Sequence, residues 1–205
     1  MKKFKLEKTI ELEKKVIISD PGYNMDTWCI GILNDVLPGT YECFYEIIED
    51  NSWGRRIASI EVKNKDCEFY DFPENIDANI GVDSGQCGIY DYDYFKKNNQ
   101  KEDWYDQICN LTYIEEENPN YKNFYESKYY FDQDIDKEYQ KYVDDEEISK
   151  MFFSRFAADT LDDKCFVSSS GYGDGLYDAF VERNNDGKII GIKISFIEEE
   201  YMEEE

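Results

Sequence analysis

The sequence predicts an α+β protein, mainly antiparallel β, forming a sheet or sandwich with a few short helices packed on one face or edge. Three observations predict it. Apolar and polar residues alternate with period two from Tyr41 and again from Ile57, as in half-buried strands. Asn184-Asn185-Asp186-Gly187 lies between two strand-like runs, and Asp-Gly is a strong hairpin signal. Short runs joined by tight turns favour antiparallel pairing over a parallel sheet with helical crossovers.

Taken in order, residues 1–19 read as a polar start followed by a strand through Val16, Ile17 and Ile18. Ser19-Asp20-Pro21-Gly22 is turn chemistry, because Pro presets φ and Gly admits positive φ. The run Trp28 to Leu33 follows, then a turn at Leu37-Pro38-Gly39. Tyr41, Cys43, Tyr45 and Ile47 are expected on one face of the next strand, and Ala58, Ile60 and Val62 on one face of its successor. Residues 78–95 read as a strand pair whose glycines mark bulges or close backbone approach. Asp103 to Cys109 reads as a short helix capped by Asp103, and 146–160 as a helix with an aromatic stripe. At the C-terminal end Ala179 to Arg183 forms a strand. Ile190, Ile192, Ile194 and Phe196 of its return partner point inward. The whole of 1–205 is expected to form one domain, with 115–147 as an acidic, Tyr-rich surface insertion and 198–205 as an acidic tail. The tryptophans Trp28, Trp53 and Trp104 read as core anchors.

Charge is the strongest compositional signal. The chain carries 23 Lys and Arg against 47 Asp and Glu, a net charge of −24. A small soluble domain needs only about 2–8 charges of one sign to stay dispersed. An excess of this size reflects either plain surface acidity or a basic partner protein such as a nuclease, a CRISPR effector or a toxin. Direct nucleic-acid binding is not expected, since phosphates would be repelled. No apolar leader and no run of about 20 apolar residues is seen, so a cytoplasmic location without membrane contact is expected. There the six cysteines should be reduced thiols, and no CxxC spacing suggests zinc.

No histidine occurs, which removes Ser-His-Asp and Cys-His catalysis from consideration. No cofactor is expected. Three clusters remain. The acidic insertion interleaves carboxylates with tyrosines and could imitate nucleic-acid phosphates. Its expected partner contacts are Tyr129, Tyr130, Asp132, Asp134, Asp136, Asp144 and Asp145, with Asp91-Tyr92-Asp93-Tyr94 as a similar, shorter pattern. Asp20, Asp83, Ser84, Ser170 and Asp174 stand beside glycines at strand ends. They could cap turns, or converge on a small ligand or a Ca²⁺ or Mg²⁺ ion. Ser168-Ser169-Ser170-Gly171-Tyr172-Gly173-Asp174-Gly175 could bare N–H groups to an anion or simply turn the chain.

Three segments together carry a resemblance. They are Ser19-Asp20-Pro21-Gly22-Tyr23 with Trp28-Cys29, Gly81-Val82-Asp83-Ser84-Gly85, and Ser169-Ser170-Gly171-Tyr172-Gly173-Asp174-Gly175-Leu176-Tyr177. They resemble a family of uncharacterised small proteins of bacteria and their phages, in which Asp-Pro-Cys-Tyr is expected where this chain has Asp-Pro-Gly-Tyr. The resemblance implies no established activity. It implies a mobile-element setting, in which an acidic binding protein could act as an anti-defence (anti-CRISPR-like) inhibitor, or as an immunity protein against a toxin.

Overall fold

Strand pairing begins with the first residues. In the computed structural model, which describes residues 1–50, 54–112 and 157–198, β1 (Lys2–Leu12) pairs antiparallel with β4 (Gly39–Asp50). The polar start expected there is a strand because its partner, not its own apolar pattern, decides its conformation. Lys5 meets Glu42 at 2.6 Å, and Lys8 reaches Asp159 at 2.8 Å. β4 pairs in turn with β5 (Gly54–Asn64), β5 with β12 (Ile189–Ser195), and β12 with β11 (Gly175–Arg183). β6 (Glu74–Asn75) and β7 (Ile80–Val82) both pair with β11, completing a seven-stranded antiparallel sheet.

The second sheet has five strands in the order β3 (Gly31–Leu33), β2 (Val16–Ser19), β8 (Gln86–Asp91), β10 (Cys165–Ser169) and β9 (Ala158–Leu161). The C-terminal end of the helix expected over 146–160 is therefore β9. It returns into β10 through Asp162 and Asp163, both in the left-handed region at φ 51° and 53°. β9 is a strand because β10 pairs with it, from Leu161 opposite Cys165 to Ala158 opposite Ser168, a contact that lies outside the local pattern. The remainder of that helix lies outside the described residues.

The main core fills the space between the sheets. Ile10, Tyr41, Cys43, Ile60, Val62, Val181, Ile192 and Ile194 of the larger sheet meet Val16, Ile18, Cys87, Ile89 and Phe166 of the smaller one. Ile47 is only half-buried and Ile48 is buried in its place, next to a β-bulge where β5 carries one extra residue, Ala58. A smaller core lies on the other face of the five-stranded sheet. There α1 (Tyr92–Asn98) and α2 (Trp104–Thr112) lay Phe95, Trp104 and Ile108 over Ile17, Tyr90, Cys165 and Val167. α1 cuts short the strand expected up to residue 95. The Asp91 carboxylate accepts the Tyr94 N–H at 3.0 Å and caps it, so Asp91 is a buried cap rather than an exposed phosphate mimic. Asp103 precedes α2, and its carboxylate accepts the Gln107 side-chain amide at 2.7 Å.

Among the described cysteines, Cys29, Cys43, Cys67, Cys87 and Cys165 are free thiols. Burial pushes Cys43 up to about 12 and raises Cys87 and Cys165 as well. The thiolate is the reactive form. In the native protein at pH 8, iodoacetamide should therefore leave Cys43, Cys87 and Cys165 unmodified while Cys67, whose thiol is also raised but is only half-buried, reacts ahead of them. Peptide mapping by mass spectrometry checks the order, and rapid native labelling of Cys87 would contradict it.

Candidate functional site

The turn that follows β2 is built around Asp20, whose residue is 1% exposed. Its backbone carbonyl accepts the Tyr23 N–H at 3.2 Å, and its Oδ1 accepts the Gly22 N–H at 2.7 Å. Short polar side chains hold such turns by bonding the backbone two residues on. Oδ2 crosses to a different segment and accepts the N–H groups of Asp83 at 2.8 Å and Ser84 at 2.7 Å. One buried carboxylate thus joins the first two segments singled out in the sequence. The third is attached by the Ser170 N–H, which donates to the Gly85 carbonyl at 3.0 Å, and by the pairing of Gly175, Leu176 and Tyr177 with Val82, Gly81 and Ile80.

Further contacts lock this junction. The Gly81 N–H donates to the Cys29 carbonyl at 2.8 Å, and the Cys29 side chain and Tyr23 hydroxyl sit over the bare Gly81 Cα. The Tyr23 hydroxyl is hydrogen-bonded to Asp83 and Cys29. Burial, and then the Asp83 bond, hold its proton well above the ordinary phenol range. The Trp104 Nε1–H donates to the Pro21 carbonyl at 2.9 Å, tying the junction to the helical layer. In the Ser170–Gly175 turn, the Ser170 hydroxyl donates to the Gly173 carbonyl at 2.8 Å and the Tyr177 hydroxyl to the same oxygen at 2.7 Å. Gly171 sits there at φ +49°, where an added Cβ would press on Phe196 Cβ at 2.9 Å.

Asp20, Asp83, Ser84 and Ser170 are thus brought together, with Asp174 on the adjoining turn. Their geometry is that of a clamp: the Asp20 oxygens are taken by backbone N–H groups, and Asp83 and Asp174 are exposed. Among the described residues no group of three or more Asp, Glu or Cys is arranged to hold a metal ion. The junction also turns apolar side chains outward. Trp28 is 79% exposed and Leu176 58%, with Tyr172 and Tyr105 also exposed. Trp104 is a core anchor as expected and Trp28 is not, because its neighbour Cys29 takes the inward position over Gly81. Trp53 lies outside the described residues, as do Tyr129, Tyr130, Asp132, Asp134, Asp136, Asp144 and Asp145.

Two substitutions test the clamp. Asp20→Asn keeps the shape but replaces one acceptor oxygen with an N–H donor facing other donors. The stability lost should be about 1.5–3 kcal/mol, the range for hydrogen bonds to a charged group, read as a fall in the urea midpoint. Gly81→Ala forces a methyl into the Cys29 thiol and should cost about 1–3 kcal/mol as overpacking. An unchanged midpoint for either variant would show that the junction does not hold the fold.

No curated protein and no solved structure matches the chain. A family model does match, over residues 14–194, a span that contains the segments meeting at Asp20. The chain therefore belongs to the family described as "Protein of unknown function (DUF4241)".

Proposed function

We propose that this protein is a stoichiometric binding protein that docks on a basic, nucleic-acid-handling protein, in the manner of an anti-defence inhibitor. The observation that carries the reading is an apolar face on a strongly acidic molecule. Trp28, next to the Cys29 that packs on Gly81, and Leu176, paired with Gly81, are exposed at the junction, which also exposes the carboxylates of Asp83 and Asp174, in a chain of net charge −24. Aromatic side chains such as Trp28 are enriched in binding hot spots, and a polar rim commonly surrounds them. The acidic rim accelerates encounter with a basic surface and rejects acidic ones.

The acidity is not confined to one segment. The described residues hold 17 Lys and Arg against 30 Asp and Glu, a net −13; residues 113–156 and 199–205 carry the other −11. Tyr129, Tyr130, Asp132, Asp134, Asp136, Asp144 and Asp145 are proposed contacts in addition to Trp28 and Leu176. An immunity protein neutralising a basic toxin would use the same chemistry, and the identity of the captured partner separates the two.

Affinity capture from the native host at low salt and at about 1 M salt, where the screening length is about 3 Å, tests the reading. A basic nuclease, effector or toxin should co-elute at low salt and be lost at high salt. Trp28→Ala should reduce its retention at least tenfold without changing the thermal midpoint, because the side chain is exposed. Capture of nothing at either salt, or of a partner indifferent to both salt and Trp28, would overturn it.

A further inference from the structure

The seven-stranded sheet has an outer face, turned away from the main core. Register places its outward residues in rows. Glu46 of β4, Ser59 of β5, Ser195 of β12 and Asp178 of β11 form one row. Phe44, Glu61, Lys193 and Phe180 form the next. This face is not the plain solvated surface that alternation suggests. The chain after β5 folds back over it, so that Phe69 covers the bare Cα of Gly191 and Glu61 is only 2% exposed. Three lysines gather around Glu61: Lys3 in direct ion pair, Lys63 at 3.1 Å and Lys193 at 3.7 Å.

Beside this covered zone lies a groove of about 420 Å³, within the size range of small-molecule sites. Glu46, Ser59, Lys193 and Ser195 contribute from the sheet strands, with Phe180 beside them. Asp71 and Phe72 come from the returning chain and Glu198 from the end of the described chain. The geometry points to a binding site for a small organic cation, an amine or guanidinium carried on a short apolar chain. This site is independent of the partner-docking face.

Charge decides the sign of the ligand. Three carboxylates, Glu46, Asp71 and Glu198, line the groove against two ammonium groups, those of Lys193 and of the Met1 N-terminus, which leaves a net negative charge. The Lys193 ammonium is already engaged, 3.6 Å from Glu46 and 3.7 Å from Glu61. An anion would meet net repulsion, and a cation would meet net attraction. The Glu46 carboxylate is also fixed in place, since the Ser59 hydroxyl donates to it at 2.7 Å. Burial pushes its proton affinity up, but the Ser59 bond and the nearby Lys193 and Lys3 outweigh that and hold it below the usual carboxylate range, so it is ionised at neutral pH.

The aromatic walls suit a cation too. Ammonium groups are attracted to ring faces within about 6 Å, and this surface already holds one that way. Lys63 Nζ lies 4.1 Å from the Phe69 ring centroid and 5.3 Å from those of both Phe44 and Phe72. Phe72 then serves two roles, closing the cage around Lys63 and lining the neighbouring groove, with Phe180 as a second ring for the ligand's apolar chain.

Agmatine, which has an amine and a guanidinium on a four-carbon chain, is the probe. It is titrated into the full-length protein at constant ionic strength while backbone amide shifts are followed by NMR. Saturable shifts should cluster at Glu46, Ser59, Lys193 and Ser195. Glu46→Gln and Asp71→Asn should each weaken binding about tenfold; Asp71 is exposed, so its variant leaves folding intact. Asp186→Asn, which removes the same charge from the distant hairpin turn, should leave affinity unchanged. Shifts spread over the acidic surface, or equal weakening by Asp186→Asn, would reduce the effect to bulk attraction and overturn the proposal. Equal binding of uncharged pentane-1,5-diol at the same residues would overturn the preference for a cation.

Discussion

A carboxylate taken out of water must be satisfied or it destabilises the fold, and Asp20 is satisfied entirely by backbone. Three N–H groups from two separate turns converge on its two oxygens, so neither turn can move without leaving a buried charge under-bonded. The rest of the arrangement inherits its position from this constraint. The Val82–Gly85 turn joins β7 of the larger sheet to β8 of the smaller, and Asp20 closes β2. The clamp therefore sits where the two sheets are stitched together. Pro21 extends it to the helical layer through the Trp104 indole.

The molecule separates its charges by location. On the outer sheet face, Lys3, Lys63 and Lys193 surround the buried Glu61, and Lys5 answers Glu42. At the turn junction the exposed carboxylates Asp83 and Asp174 have no comparable lysine partners among the hydrogen bonds and ion pairs described above. An excess of one charge raises the self-repulsion of a compact state. Pairing on the sheet face lowers that repulsion where strands must stay in register.

Period-two patterns and turn residues made much of the fold readable, because each depends on neighbours in sequence. The hairpin at Asn184–Gly187 and the buried faces around Tyr41, Ile60 and Ile192 follow from local chemistry alone. The failures were non-local. β1 is a strand because β4 pairs with it, and β9 is a strand because β10 does. Trp28 turns outward because a glycine 53 positions later leaves room for Cys29 instead. The Asp20–Asp83–Asp174 grouping was suggested by glycines beside aspartates. That the first aspartate's oxygens bind backbone rather than a ligand depends on atomic distances that no spacing encodes. The outer groove went unread since Glu61, Lys63 and Lys193 look like an ordinary solvated face until Phe69 and Phe72 fold back over them.

α2 and β9 lie against the same small core, with Leu111 and Leu161 both packed on it. Side-chain packing therefore holds these two elements side by side, and two separately made pieces of the chain, divided between Thr112 and Ala158, would carry complementary halves of one core.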